Sequence, residues 1–502
     1  MNTTLRRWRP RLLGLTSLAL ASCGVEPIEE QRSLGGAAAA LSGGIAIAGH
    51  VGNDASNAGM SGVTVQLSGP VSASAVTDSH GNFIFLGLPA GVYSLAASKP
   101  SAAITPSSVS LGSVSADQIQ NFTCAGACGA GPAVDPYKEI AIVDPSVTED
   151  ARASNATGGP WSFRYLIEQM TPSGVDPADF VAEWLEGFQP LTINGYPTTP
   201  RGLPPLLDLW PTRPDGKLDL AQAPFQLLGI FNRTDLHASG SGEARFVFGI
   251  IPRNRPVAGM TVIFEYRLPT NALVTDRLNW ITRFHALGQY PFGAQYNEEL
   301  QEITDLFTQR GAERSTMGNP NASALGQLRT SETLLGGAPW SWREFHLVPE
   351  PTGYQAFLRL ALAAQTPDQQ LNGDAALESF LLANRTGIIA GVTPLDAQFL
   401  GGEAEGSIVP SATKWVFPGA DEPLRHAFAG QTCNGCHNAE TEQLATFYHV
   451  APFAVPGPDG TGVLSNFVKQ VEIPRRVSFM QNRLTCAPLA GNCSPGSESV
   501  VP

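Results

Sequence analysis

Hydrophobic and polar positions change their period several times along the chain, and each change marks an element. Over residues 62–67 they alternate, with Val63, Val65 and Leu67 on one face, the two-residue period of a half-buried strand. Thr77-Asp78-Ser79-His80-Gly81 reads as a turn, after which Phe83 and Phe85 alternate with Asn82 and Ile84. Leu88-Pro89-Ala90-Gly91 makes a second turn, and Val92-Tyr93-Ser94-Leu95 a further strand. Residues 43–122 therefore read as a small all-β sandwich whose sheets enclose Phe83, Phe85, Tyr93 and Leu95.

Beyond a Gly- and Ala-rich linker at 123–138 the period lengthens. Helices are predicted over residues 161–170 and 177–188, the second with Phe180, Val181, Trp184 and Leu185 on one side. Strands follow at 225–232, 244–251 and 260–268; in the last, Val262, Phe264, Tyr266 and Leu268 alternate against Thr261, Glu265 and Arg267. Residues 278–287 and 294–309 read as helical, 326–335 and 340–348 as extended, and 354–364 and 374–384 as helical. This makes residues 139–420 an α+β body without an internal repeat. Residues 421–502 form a third region, expected to be small and mostly helical, with a helix over 422–430.

Composition narrows the class. The chain has 502 residues, 43% hydrophobic and 15% charged, enough for two or three domains with a sizeable core. A net charge of −13 with no long basic run argues against nucleic acid and against a polybasic membrane contact. The 52 glycines and 40 prolines point to many turns.

The N-terminus carries its own signal. Arg6, Arg7, Arg9 and Arg11 precede an apolar run from Leu12 to Ala21, too short to cross a bilayer, and Leu20-Ala21-Ser22-Cys23 closes it. This resembles the bacterial lipobox, which implies a signal peptide over residues 1–22, acylation of Cys23, and a polar tether over 23–42. The expected location is the cell envelope, facing the periplasm or the surface. Gly24 lacks the aspartate that retains many lipoproteins at the inner membrane, which favours the outer one. The run T-D-x-x-G-x-F-x-F-x-x-L-P-x-G-x-Y-x-L from Thr77 to Leu95 resembles the carboxypeptidase regulatory-like module, a transthyretin-like or prealbumin-like sandwich. Related folds bind carbohydrate, so a polysaccharide is one partner to weigh against a spacer role.

The remaining cysteines sort into pairs: Cys124 with Cys128, Cys433 with Cys436, and Cys486 with Cys493. Export permits disulfides, and the outer two pairs are most simply local bridges, though cross-pairings stay open. Thr432-Cys433-Asn434-Gly435-Cys436-His437 is the C-x-x-C-H pattern of covalent haem attachment, in which both thiols bind haem c and the histidine is the proximal ligand. A sixth ligand would be His449 or Met480, with His426 a weaker third. Zinc, or no cofactor and a redox-active thiol pair, is the alternative. Asn232, Arg233, Asp235, Glu243, Arg245, Glu265, Arg329, Glu332, Arg343 and Glu344 are candidates for a second site or for a structural ion-pair network. No hydrolase, P-loop or dinucleotide fingerprint is present.

Several of these marks occur together elsewhere. Phe231-Asn232-Arg233-Thr234-Asp235-Leu236, Leu328-Arg329-Thr330-Ser331-Glu332, the C-x-x-C-H segment, Phe447-Tyr448-His449-Val450 and Leu464-Ser465-Asn466-Phe467 resemble uncharacterised exported lipoproteins of myxobacteria and similar Gram-negative bacteria. The resemblance covers roughly residues 139–485 and implies an envelope location and a shared C-x-x-C-H site with a downstream histidine. Two functions remain: a haem-bearing electron-transfer lipoprotein with a redox partner protein, or a non-haem envelope lipoprotein that binds carbohydrate or protein.

If Cys23 carries the anchor, Cys23→Ala abolishes labelling of the chain by radioactive palmitate and moves it from the membrane to the soluble fraction. Unchanged labelling would remove the anchor from the reading.

Overall fold

The structure is a computed structural model. It describes residues 45–53, 60, 62–77, 81–99, 102–116, 118–125, 133–236, 240–250, 259–270, 276–314, 318–333, 340–351, 355–389, 393, 395–406, 415–437, 440, 448–452 and 463–486. Cys23, Cys128 and Cys493 lie outside them, as does the side chain of Cys486. None of the described helices is long and apolar enough to cross a membrane.

The N-terminal sandwich is built from nine short strands: β1 (Ile45–Asn53), β2 (Thr64–Ser68), β3 (Ala73–Val76), β4 (Asn82–Leu88), β5 (Gly91–Ser98), β6 (Ala103–Thr105), β7 (Ser108–Val114), β8 (Gln118–Ile119) and β9 (Phe122–Ala125). One sheet runs β4-β1-β9-β6, with β8 beside β1, and the other β3-β2-β5-β7. The predicted alternation holds: Val63, Val65, Leu67, Phe83, Phe85, Tyr93 and Leu95 are all buried in one core, while Ile84 points outward. Thr77 ties the end of β3 to the start of β2, its hydroxyl donating to the Met60 carbonyl at 2.6 Å and accepting from the Val63 amide at 2.9 Å. The sandwich extends past residue 122. Strand β9 pairs in parallel with β1 through Cys124, which is buried and disulfide-bonded, so the linker begins later than composition alone indicated.

The body is organised by one antiparallel sheet. Its strands are β10 (Ala141–Ile142), then, beyond a hairpin of β11 (Thr192–Ile193) and β12 (Tyr196–Pro197), β13 (Phe225–Arg233), β14 (Glu243–Ile250), β15 (Met260–Arg267), β16 (Leu325–Glu332), β17 (Trp340–Pro349), β18 (Ala356–Leu360) and β19 (Glu403–Gly406). The order is β10-β13-β14-β15-β16-β17-β18, with β19 also on β17. Within the stretch 354–364, expected to be helical, Tyr354 lies outside the described residues and residues 356–360 instead form strand β18. Its apolar run fits both periods, and pairing of Phe345 with Leu360 and Leu347 with Leu358 completes the edge of β17.

Alternation sends the two faces of this sheet to different partners. Ala244, Phe246, Phe248, Val262, Phe264, Leu328 and Phe345 join the core with helices Phe163–Met170, Pro177–Leu185, Arg277–Ala286 and Ala294–Thr308. Phe163 is central, with its ring 4.4 Å from Phe225, 5.7 Å from Phe264 and 6.0 Å from Phe248. On the opposite face, Phe231, Val247 and Ile263 meet Val450, Val463, Leu464, Val468 and Ile473. The C-terminal region therefore shares a core with the body.

Phe163→Ala removes the ring that all these aromatics contact. The expected loss is about 3–5 kcal/mol of unfolding free energy, read from denaturant titration; a loss well below 1 kcal/mol would contradict this packing.

Candidate functional site

The second face of the sheet and the C-terminal segment enclose a cavity of about 130 Å³. Its floor crosses five strands: Phe231 and Arg233 on β13, Arg245 and Val247 on β14, Thr261 and Ile263 on β15, Arg329 and Ser331 on β16, and Trp342 on β17. Its roof holds Cys433, Cys436, His437, Tyr448, His449, Phe467, Glu472 and Arg476.

The C-x-x-C-H turn is fixed by its own intervening residues. Helix Glu422–Gly430 ends, and Thr432 caps the short helix Cys433–Cys436, its hydroxyl accepting from the Gly435 amide at 3.1 Å and donating to the Ala429 carbonyl at 2.7 Å. A side chain at Gly435 would collide with that carbonyl, which is why glycine stands there. Asn434 donates to Gln369 at 2.8 Å and to the Glu405 carbonyl at 3.1 Å, and accepts from the Trp415 indole at 3.0 Å. The Cys433 amide donates to Thr366 at 2.8 Å.

These contacts bring Cys433, Cys436, His437 and His449 to one place. The His437 ring rests on Trp340 and Trp342, with centroids 5.2 and 4.7 Å away. The His449 ring lies 4.2 Å from that of His437 and 5.1 Å from Phe467, with Nε2 3.6 Å from Cys436 Sγ and Nδ1 3.3 Å from the Ser465 hydroxyl. Met480 and His426 do not join them. Met480 is buried in the core with the helices, its sulfur accepting from the Asn232 amide at 3.5 Å. His426 is exposed and paired with Glu440 at 2.7 Å. Both cavity thiols are free. Burial pushes Cys433 up, and it pushes Cys436 to about 12, helped by Glu472 and Cys433. Burial and the neighbouring His437 hold His449 well below its ordinary value, so its imidazole is neutral. A redox-active thiol pair needs an accessible thiolate, which this environment opposes. Among the described residues, no group of three or more His, Cys, Asp or Glu side chains is placed to hold a metal ion.

The polar residues singled out along the body strands divide between the two faces. Glu332 and Arg343 form a fully buried network with Arg201 and Glu403 on the helix side. Arg233, Arg245 and Arg329 instead line the cavity that holds the C-x-x-C-H turn. Arg245 pairs with Glu243 at 2.8 Å and Glu265 at 3.4 Å; Arg329 pairs with Glu344 at 3.1 Å and Glu265 at 3.5 Å. Trp340 and Trp342 were not singled out by sequence. Their two-residue spacing on a strand, which puts both rings on one face, was the available signal.

Residues 46–124 match the carboxypeptidase regulatory-like domain family, and the N-terminal sandwich is a domain of that kind. No curated protein matches the chain. Among solved structures, the Bacillus anthracis TIE protein is 12% identical, over 16% of this chain and 16% of that one, with a TM-score of 0.15. Klebsiella pneumoniae 5-hydroxyisourate hydrolase is 21% identical, over 16% of this chain and 92% of that one, with a TM-score of 0.14. Neither likeness carries an argument about the body or its cavity.

Asp235 ties the cavity wall together, accepting from Arg233 at 3.0 Å and from Arg475 at 2.7 Å. Burial alone would raise its carboxyl, but Arg233, Arg475 and Arg476 outweigh it and hold it far below the usual carboxylate range. Asp235→Asn strands those guanidinium groups and is expected to cost about 3–5 kcal/mol at neutral pH. Because the folded pKa is depressed, the carboxylate's contribution is complete above the unfolded value of about 3.9 and fades as pH falls below it. Urea titrations of both proteins should converge as pH drops from 5 towards 2; a constant gap would mean that the charge of Asp235 is not what stabilises.

Proposed function

We propose that this chain is an envelope-anchored lipoprotein that carries a covalent c-type haem at Cys433 and Cys436 and works in electron transfer. The observation that carries this reading is the meeting of His437 and His449 beside both thiols, in a cavity between the sheet and the C-terminal segment. The donor set fits the group: two free thiols one helical turn apart, two imidazoles, aromatic and aliphatic walls, and arginines within the same cavity. The two imidazole rings stand in contact with each other.

Bound haem would supply a one-electron couple. The chain's own residues do the rest. Thr432, Asn434 and Thr366 hold the turn so that both thiols face the cavity. Trp340 and Trp342 set the plane of His437, and Ser465 orients His449 through Nδ1, leaving Nε2 towards the cavity's cysteine. The sandwich acts as a spacer between the anchor at Cys23 and the body.

Production in the periplasm with a cytochrome c maturation system should give a band that retains haem stain on a denaturing gel. Cys436→Ser should weaken attachment. His449→Ala should convert a low-spin spectrum to high-spin, whereas Met480→Ala should leave it unchanged. An unstained band beside a stained control cytochrome would refute the haem, and a spectral change in Met480→Ala alone would reassign the sixth ligand.

A further inference from the structure

The cavity has two arginine-bearing ends, and their charges do not balance alike. At one end Arg245 and Arg329 face three carboxylates, Glu243, Glu265 and Glu344. At the other, among the described residues, Arg233, Arg475 and Arg476 share Asp235 and Glu472. Arg475 reaches both carboxylates, at 2.7 and 2.9 Å, and Arg476 has Glu472 alone, at 2.9 Å. The Nε–H of Arg476 is buried and meets no acceptor among the described residues. A further guanidinium, that of Arg277, also acts on Asp235. These groups are almost wholly withdrawn from water, Arg233 at 3%, Arg475 at 4% and Arg476 at 7% exposure. A buried cation without a counter-charge is costly, and burial beside Arg233 accordingly pushes Arg476 down to about 10.

We infer that the Arg233–Arg476 corner of the cavity is an anion site that takes a carboxylate, next to Cys436 and His449. Three observations support it together: a surplus of one positive charge among paired buried groups, an unmet donor on Arg476, and the opening of Arg233 and Arg476 onto the same cavity. A planar guanidinium matches a carboxylate better than it matches a spherical ion. The site stands without the haem reading. Where that reading holds, it deepens it, because haem carries carboxylates of its own; the other source is a free carboxylate from solution.

The test uses the full chain made without maturation proteins. In wild type, replacing chloride by acetate at constant ionic strength should raise the melting temperature. Arg476→Gln should be at least as stable as wild type in chloride, since it removes an uncompensated charge, and should lose the acetate response. Arg359→Gln, a surface arginine paired with Glu183 and Glu350, should keep it. No acetate response in wild type, or an undiminished one in Arg476→Gln, overturns the inference.

Titration with haemin and with its dimethyl ester, followed by absorbance, then separates the sources. If haem delivers the carboxylate, haemin binds Arg476→Gln about tenfold or more weakly than wild type, the loss of one charge-assisted hydrogen bond, while the ester binds both alike. An acetate response with no haemin binding keeps the anion site, assigns it to a free carboxylate and counts against the haem reading. Haemin that binds both proteins equally, with no acetate response, removes the anion site and leaves the haem reading intact.

Discussion

Burial of the central sheet on both faces is the constraint from which the rest of the body follows. A strand alternates its side chains, so a sheet covered on one side only would show aromatic residues inward and solvated polar residues outward. Strands β14 to β17 do alternate, but on their second face Arg329, Glu265 and Glu344 are buried as well, and Arg245 is half-buried. Charges so placed persist only when paired, and each of these guanidinium groups meets two carboxylates. The C-terminal segment packs on this face. Its Val463, Leu464, Val468 and Ile473 pack on Phe231 and Val247, and its Arg475 reaches back to Asp235 at the end of β13. The ion pairs and the apolar cover thus hold each other in place.

The C-x-x-C-H turn is tied into the body in a similar way. Asn434, between the cysteines, is hydrogen-bonded to Gln369, to the Glu405 backbone and to Trp415, three separate segments of the body. Trp415 in turn stacks beside Phe417 and Phe428 in a small satellite core with Leu424. The turn is therefore positioned by protein contacts alone. A site built this way presents its thiols and His437 in a set direction before anything occupies the cavity, which lowers the ordering cost of whatever binds.

Much of this was legible in the sequence, and the losses have physical causes. The sandwich could be read because its turn glycine and alternating Phe83, Phe85, Tyr93 and Leu95 fix register locally. Strands β13 to β15 were equally clear for their inward residues. Strand β18 was not, since Phe357, Leu358, Leu360, Ala361 and Leu362 satisfy a helical period as well as an alternating one, and only the neighbouring β17 decides. The site was half visible: C-x-x-C-H and His449 are near in sequence, but Arg233, Arg245 and Arg329 meet them only through long-range folding. Which face of a strand a given arginine occupies depends on register, and register is invisible until the strand's partners are known. Hence ten polar residues read as one group belong to two faces, Glu332 and Arg343 on one and Arg233, Arg245 and Arg329 on the other.

The cavity's own groups cannot neutralise its positive corner. Cys436 is held as a neutral thiol and sits against His449, and the imidazole of His449 is neutral too. Glu472 is already shared between Arg475 and Arg476, and Asp235 between Arg233 and Arg475. Moving either carboxylate to serve Arg476 better would strip a second buried arginine, which costs as much as it gains. Among the described residues the surplus charge therefore belongs to this wall, which leaves room for the carboxylate inferred above.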